Sequence, residues 1–337
     1  MSWSRYAGSH ELWPTLCAGA DSHGKARAQR YHAISARDAP SKTSRSCRAD
    51  SATTTNTMNL KLHAGLASYG EITTTGPVLL ALVRSAYERF IEPLEIAQPK
   101  ATIHATDLGQ ARGNNMPLND IGWANVADRF VRRDTEFFSA FKCTDPRRVI
   151  EEWAEHVEGE VRITRVRHYP GRAALLNIVI DEAALPDSRV SLEWQGRLTD
   201  FVTDAFIALL ARTAFATFDR SFTDTMTPYE YPLRIFGVAE DQVRGYFWGN
   251  WLSPLLVTRL GGIEVVLRDA PCFAAKSIPR SDGMGAYLQL TEDLMDFDDA
   301  SLRKLRDFLK PILPRSDAKV PAPAPGRDRW RLIYDEV

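Results

Sequence analysis

Apolar positions along this chain fall into helical and strand-like blocks separated by Gly, Pro and Asn clusters. Val78, Leu79, Leu82, Val83, Ala86, Tyr87, Phe90 and Ile91 lie on one helical face. Pro77 suits a first helical turn and Pro93 a stop, so a helix is predicted after Gly76-Pro77. Residues 107–122 read as a loop. Trp123, Val126, Phe130, Phe137, Phe138 and Phe141 make 123–141 mostly helical. Asp145-Pro146 opens another helix, with Val149, Ile150, Trp153, Ala154 and Val157 as its stripe and Gly159 as its end. Leu198, Phe201, Val202, Ala205, Phe206, Leu209 and Leu210 mark a helix over 195–211. A short helix follows at 254–260. Leu302, Leu305, Phe308, Leu309 and Ile312 mark a last one behind Asp298/Asp299.

Strand-like runs cover 101–106, 161–168, 173–180, 213–219, 263–268, 272–278 and 285–291. The run 173–180 is apolar almost throughout, which predicts a central strand covered on both faces. Tyr169-Pro170-Gly171 and Ser281-Asp282-Gly283 are turn signals between adjacent strands. Hairpin-type adjacency outnumbers βαβ spacing. The predicted fold class is therefore α+β, a mostly antiparallel sheet with amphipathic helices packed on it.

Residues 1–57 differ in character: polar, rich in Ser, Thr, Ala and Arg, and read as a disordered leader. Met58 is read as the biological start, with the upstream stretch an over-extended reading frame. A genuine flexible tail is the alternative. Residues 58–314 are read as a single domain, with a subdomain split near 185–225 as a variant, and 315–337 as a Pro/Ala-rich tail.

Charge refines this division. The chain carries 42 Lys/Arg and 43 Asp/Glu; eight and four of these lie in 1–57, so the remainder has a net charge of −5. No general basic field for nucleic acid is expected, and an acidic domain suits a basic partner. No run of 18 apolar residues exists, so no membrane-spanning segment is expected. The four cysteines (Cys17, Cys47, Cys143, Cys272) form no CxxC and are read as reduced thiols of a cytoplasmic protein.

Candidate chemistry is sparse. The seven histidines show no metal-ligand spacing outside the leader, so no metal and no cofactor are expected. Glu152 and His156 form an i,i+4 pair that reads as an exposed helical pair. His104 and Asp107 could act as an acid–base pair at a strand end. Asp181-Glu182 read as solvated charges at a strand exit. Gly261-Gly262 and Gly283-Met284-Gly285 run into predicted strands and read as turn glycines.

Two features rise above this background. Tyr246, Phe247, Trp248, Trp251 and Leu252 crowd one segment, which reads either as core or as an aromatic docking surface. Glu292, Asp293, Asp296, Asp298 and Asp299 form an acidic stretch, either helix N-terminal charge or a rim that steers a basic partner. The partner-binding candidates are thus Tyr246, Trp248, Trp251, Glu292, Asp293, Asp296, Asp298 and Asp299. No catalytic residues are assigned.

The order "GYFWGNWLSPLLVTRLGGIEVVL", "APCFAAKSIPRSDGMGAYLQLTEDLMDFDD" and "LRKLRDFLKPILP" over residues 245–313 resembles the type VI secretion immunity family of proteobacteria. The likeness extends back to residue 75 and excludes 1–57 and the tail. Residues 101–145 depart from that pattern and are read as variable, partner-specific surface. The resemblance implies a non-enzymatic protein that binds a cognate secreted antibacterial effector, a nuclease with a basic groove being one such toxin, and occludes its active site. A homodimer stays open. The competing readings are an enzyme with a dispersed site using His104, Asp107 or His168, and a scaffold subunit of the secretion apparatus.

Overall fold

The computed structural model describes residues 60–68, 72–94, 100–107, 113–131, 135–143, 157–165, 174–181, 184–185, 190–220, 242–243, 246–296 and 298–313. Their strands are β1 (Leu60–Ser68), β2 (Lys100–Asp107), β3 (Asn114–Pro117), β4 (Thr135–Cys143), β5 (Val157–Arg165), β6 (Ala174–Asp181), β7 (Thr213–Arg220), β8 (Gly249–Leu252), β9 (Ala274–Arg280) and β10 (Gly283–Gln289). The helices are α1 (Ile72–Ala86), α2 (Asp120–Val131), α3 (Leu192–Ala208), α4 (Pro254–Arg259), α5 (Ile263–Asp269) and α6 (Asp299–Leu309).

All ten strands join one sheet in the order β3-β2-β4-β5-β6-β1-β7-β8-β10-β9, and every neighbouring pair is antiparallel. The fold is α+β with an antiparallel sheet, as the sequence pattern predicts. The first strand, β1, lies near the middle, between β6 and β7, so the sheet cannot close without the chain's earliest described segment.

The strand period of two sorts the side chains into two faces. One register row runs Ala105–Phe138–Ile163–Leu176–Leu66–Ala214–Trp251–Tyr287 across eight strands, and each of these residues is buried. Helices pack on this face. Trp123 of α2 meets Phe138 edge-on at 5.8 Å. The indole Nε1 of Trp251 donates to Thr203 Oγ1 of α3 at 2.8 Å. A Cβ added at Gly159 would strike Ile91 and Leu94, just beyond α1. Phe90 packs edge-to-face against Trp194 and Phe201 of α3, joining two helices above the sheet. The opposite face carries a different row, Asn115–His104–Ser139–Arg162–Asn177–Gly65–Phe215–Asn250–Leu288, polar over its first five members.

Several elements differ from the sequence expectation. The helix expected after Pro77 begins at Ile72, so Pro77 lies inside α1 and continues through a π turn at Tyr87–Ile91. Residues 114–117 form β3 within the expected loop. The expected helix over 123–141 is half right: α2 ends at Val131, and Phe137, Phe138 and Phe141 belong to β4. Phe138 through Lys142 are all buried, so the strand is covered on both faces and shows no period of two to read. Val157 to Gly159, expected as a helix end, open β5. The rest of that helix, from Asp145, lies outside the described residues. Residues 263–268, expected as a strand, lie in helix α5. Its β-branched residues favour strands only weakly, and here a helix entered from two positive-φ glycines (Gly261 at 99°, Gly262 at 95°) buries Val266.

Candidate partner-docking loop between β10 and α6

The segment from Gln289 to Asp298 carries most of the acidic residues singled out in the sequence, and the structure shows how it is held. Asp293 is buried (9% exposed), and its Oδ1 accepts from Gln195 Nε2 of α3 at 2.8 Å and from the Met295 backbone N–H at 2.9 Å. The same Gln195 amide accepts the Leu294 N–H through Oε1 at 2.8 Å and donates to the Val190 carbonyl at 2.8 Å. Gln195 thus uses both ends of its amide, as a buried amide must. Thr291 Oγ1 donates to the Asp293 carbonyl at 2.6 Å, and Gln289 Nε2 reaches the carbonyls of Thr291 and Glu292, each at 3.0 Å.

The aromatic run forms the floor beneath this loop. Tyr246, Trp248 and Trp251 are 5%, 1% and 0% exposed, so of the two readings open in the sequence the structure takes the core one. They present no docking surface. Trp248 Nε1 donates to the Thr291 carbonyl at 3.0 Å, and the Leu290 N–H donates to the Trp248 carbonyl at 2.8 Å. Asn250 clasps Phe247 by two hydrogen bonds, at 2.9 and 2.7 Å, and so fixes the turn that delivers Trp248. Trp251 stacks on Tyr287 with ring centroids 4.5 Å apart. Burial raises the Tyr287 phenol well above its ordinary value, so it stays neutral.

The acidic residues divide by role. Glu292 and Asp296 are exposed. Asp298 is the N-cap of α6: its Oδ1 accepts from the Ser301 N–H at 2.7 Å and from the Ser301 hydroxyl at 2.5 Å. Those hydrogen bonds hold its carboxyl below the usual range. Asp299 is the first residue of α6. The outcome is a loop whose interior is fixed by Asp293, Gln195 and Trp248 and whose solvent side shows Glu292 and Asp296. Gln195 was missed by sequence reasoning. It lies on the buried face of α3, and a polar residue in an apolar stripe was the signal available.

The other sequence candidates separate. His104 is 8% exposed; its Nδ1 lies 2.6 Å from Asn115 Oδ1 and its Nε2 3.2 Å from Thr106 Oγ1. Burial lowers its pKa. The ring thus ties the edge strand β3 to β2. Asp107 ends β2, and His156, Glu152 and His168 lie outside the described residues. Among the described residues, no three His, Cys, Asp or Glu side chains come together as metal ligands. The Cys272 thiol, pushed up to about 11 by burial, is free. A shallow cleft of about 300 Å³ lies between α1 and α2, walled by Leu80, Arg84, Asp120, Trp123 and Ala127. Arg84 bonds Glu88 at 2.9 Å there and approaches Asp120 at 3.5 Å, exposed pairs of small energetic weight. Among the described residues no helix is long and apolar enough to cross a membrane.

No protein-family model matches the chain, and no curated protein matches it. Among solved structures, a T6SS protein of Pseudomonas aeruginosa is similar at 15% identity and a TM-score of 0.49, over 75% of this chain and 76% of that one.

Proposed function

We propose that this chain is an immunity protein that docks on a cognate type VI-secreted effector in the producing cell's cytoplasm and blocks the toxin's active site without chemistry of its own. The observation that carries this is the loop between β10 and α6. Glu292 and Asp296 face solvent from a backbone locked to the core through Asp293, Gln195 and Trp248. A loop whose backbone is already ordered before binding loses less conformational entropy on association. Exposed carboxylates of this kind steer a basic partner such as a nuclease groove. The resemblance of residues 245–313 to the immunity family supports the same reading, as does the net charge of −5 over residues 58–337.

Co-expression with the toxin encoded by the adjacent reading frame tests it. The chain should rescue growth and co-purify with the toxin, and Glu292→Lys with Asp296→Lys should weaken both. Toxicity that persists while both proteins are soluble would sink the proposal.

A further inference from the structure

Helical spacing opens the cleft between α1 and α2. Positions 120, 123, 124 and 127 fall on one face of α2, and 80, 81 and 84 line the cleft from α1. Its volume of about 300 Å³ is at the lower end for ligand pockets and has room for one large side chain. Leu80 is buried and Trp123 half-buried, while Ala81 and Ala124 are exposed, so an apolar floor lies between low walls. Val78, 36% exposed, lies three residues before Ala81, and Ile121, 73% exposed, lies three before Ala124. Residues three apart share a helix face, so exposed apolar surface continues along both helices. Apolar surface left open inside a charged rim is the mark of an interaction site.

The rim selects the partner. It sets one cation, Arg84, against two carboxylates, Glu88 and Asp120. Arg84 Nε donates to Glu88 at 2.9 Å, and the guanidinium lies 6.0 Å from the centroid of the Trp123 ring. Asp120 meets Arg84 Nη2 at a long 3.5 Å, with its side chain 92% exposed. Exposed pairs of this kind are weak, so Asp120 can turn to an incoming cation at little cost. A basic neighbour suits this rim as it suits Glu292 and Asp296.

Packing links the cleft to the acidic loop. Arg84 lies six residues before Phe90, about 9 Å along the helix. Phe90 packs on Trp194 of α3 with ring centroids 5.1 Å apart. The next residue, Gln195, holds Asp293 at 2.8 Å. That short chain of contacts places both features within one partner footprint, about 800 Å² on each side of a standard interface. We infer that the α1–α2 cleft is a second contact for the same effector. It seats an apolar side chain that the effector carries beside a lysine or arginine, and the basic group pairs with Asp120. This inference rests on the effector-binding reading.

Calorimetric titration of the full chain with the purified toxin of the adjacent reading frame tests it. Ala124→Arg fills the mouth of the cleft from an exposed helical position, and arginine is a good helix former. It should weaken binding about thirtyfold, the scale of a lost anchor residue. Asp120→Asn removes the charge alone and should weaken binding about threefold at low salt, with the difference closing at high salt. Ala81→Arg blocks the cleft from the opposite wall and carries the test if Ala124→Arg does not fold. Toxin bound equally by the parent, Ala124→Arg and Ala81→Arg overturns the inference and leaves the effector reading standing. An Asp120→Asn affinity equal to the parent's at low salt overturns the basic half of it. A parent chain that binds no toxin ends the effector reading and the inference with it. Self-association of the parent in sedimentation, lost in Ala124→Arg, gives the cleft to a second copy and also overturns the inference.

Discussion

The Gln195 side chain of α3 and the Asp293 carboxylate, 98 residues apart in sequence, are joined by a 2.8 Å hydrogen bond inside the protein. The same Gln195 amide accepts the Leu294 N–H, so one α3 residue fixes both the carboxylate and the backbone of the acidic loop. Replacing Gln195 with Leu strips Asp293 of a donor and leaves the Leu294 N–H unpaired. The expected loss is about 1–3 kcal/mol in urea unfolding, because buried polar groups lose their solvation without compensation. A Gln195→Leu protein as stable as the parent would show that the loop is held by something else.

Glu292 and Asp296 lie on the solvent side of that loop and should matter to association rather than to folding. Reversing both to Lys should move stability by no more than about 0.5 kcal/mol. The on-rate for a basic effector should fall by about tenfold at low salt, with the gap closing as ionic strength rises. Stopped-flow association across a salt series reads this directly.

Asp298 gives a pH signature with a fixed sign. Its folded-state pKa is depressed by the Ser301 hydrogen bonds. Its contribution to α6 is therefore present above the unfolded aspartate value, about 3.9, and is lost as pH falls through the lower folded value. Asp298→Asn keeps a capping oxygen and does not titrate. The parent should lose more melting temperature than the Asn variant between neutral pH and pH about 3. Equal losses would remove Asp298 from the account.

Gly65 should tolerate no side chain. An alanine Cβ would meet Asn177 Oδ1 at 2.6 Å and the Phe215 ring at 2.8 Å, near the middle of the sheet. Gly65→Ala should destabilise by about 1–3 kcal/mol, the range for overpacked cores. Equilibrium denaturation measures it, and an unchanged midpoint would mean that the neighbouring strands give way.

Legibility in the sequence tracked how unevenly the two sides of each element were solvated. The α3 stripe from Leu198 to Leu209 was plain because polar residues cover its other side. The same held for α6 and for the β9–β10 hairpin around Asp282-Gly283. Phe137, Phe138 and Phe141 were misassigned because β4 is buried on both faces and shows neither period. Residues 263–268 were misassigned because a short run of mixed propensity leaves the decision to packing. At the candidate loop, Asp298 was legible as a cap by its place before an amphipathic helix. Asp293 and Gln195 were not, since their partnership spans 98 residues.

By itself the sequence determined the class of fold, since period and turn chemistry are local properties that each segment carries alone. Only the tertiary structure decided that Trp248 and Trp251 lie under the surface while Glu292 and Asp296 lie on it. It alone set Ser139, Arg162 and Asn177 side by side. Burial and cross-strand register depend on which distant segments meet, and no window of neighbouring residues contains that information.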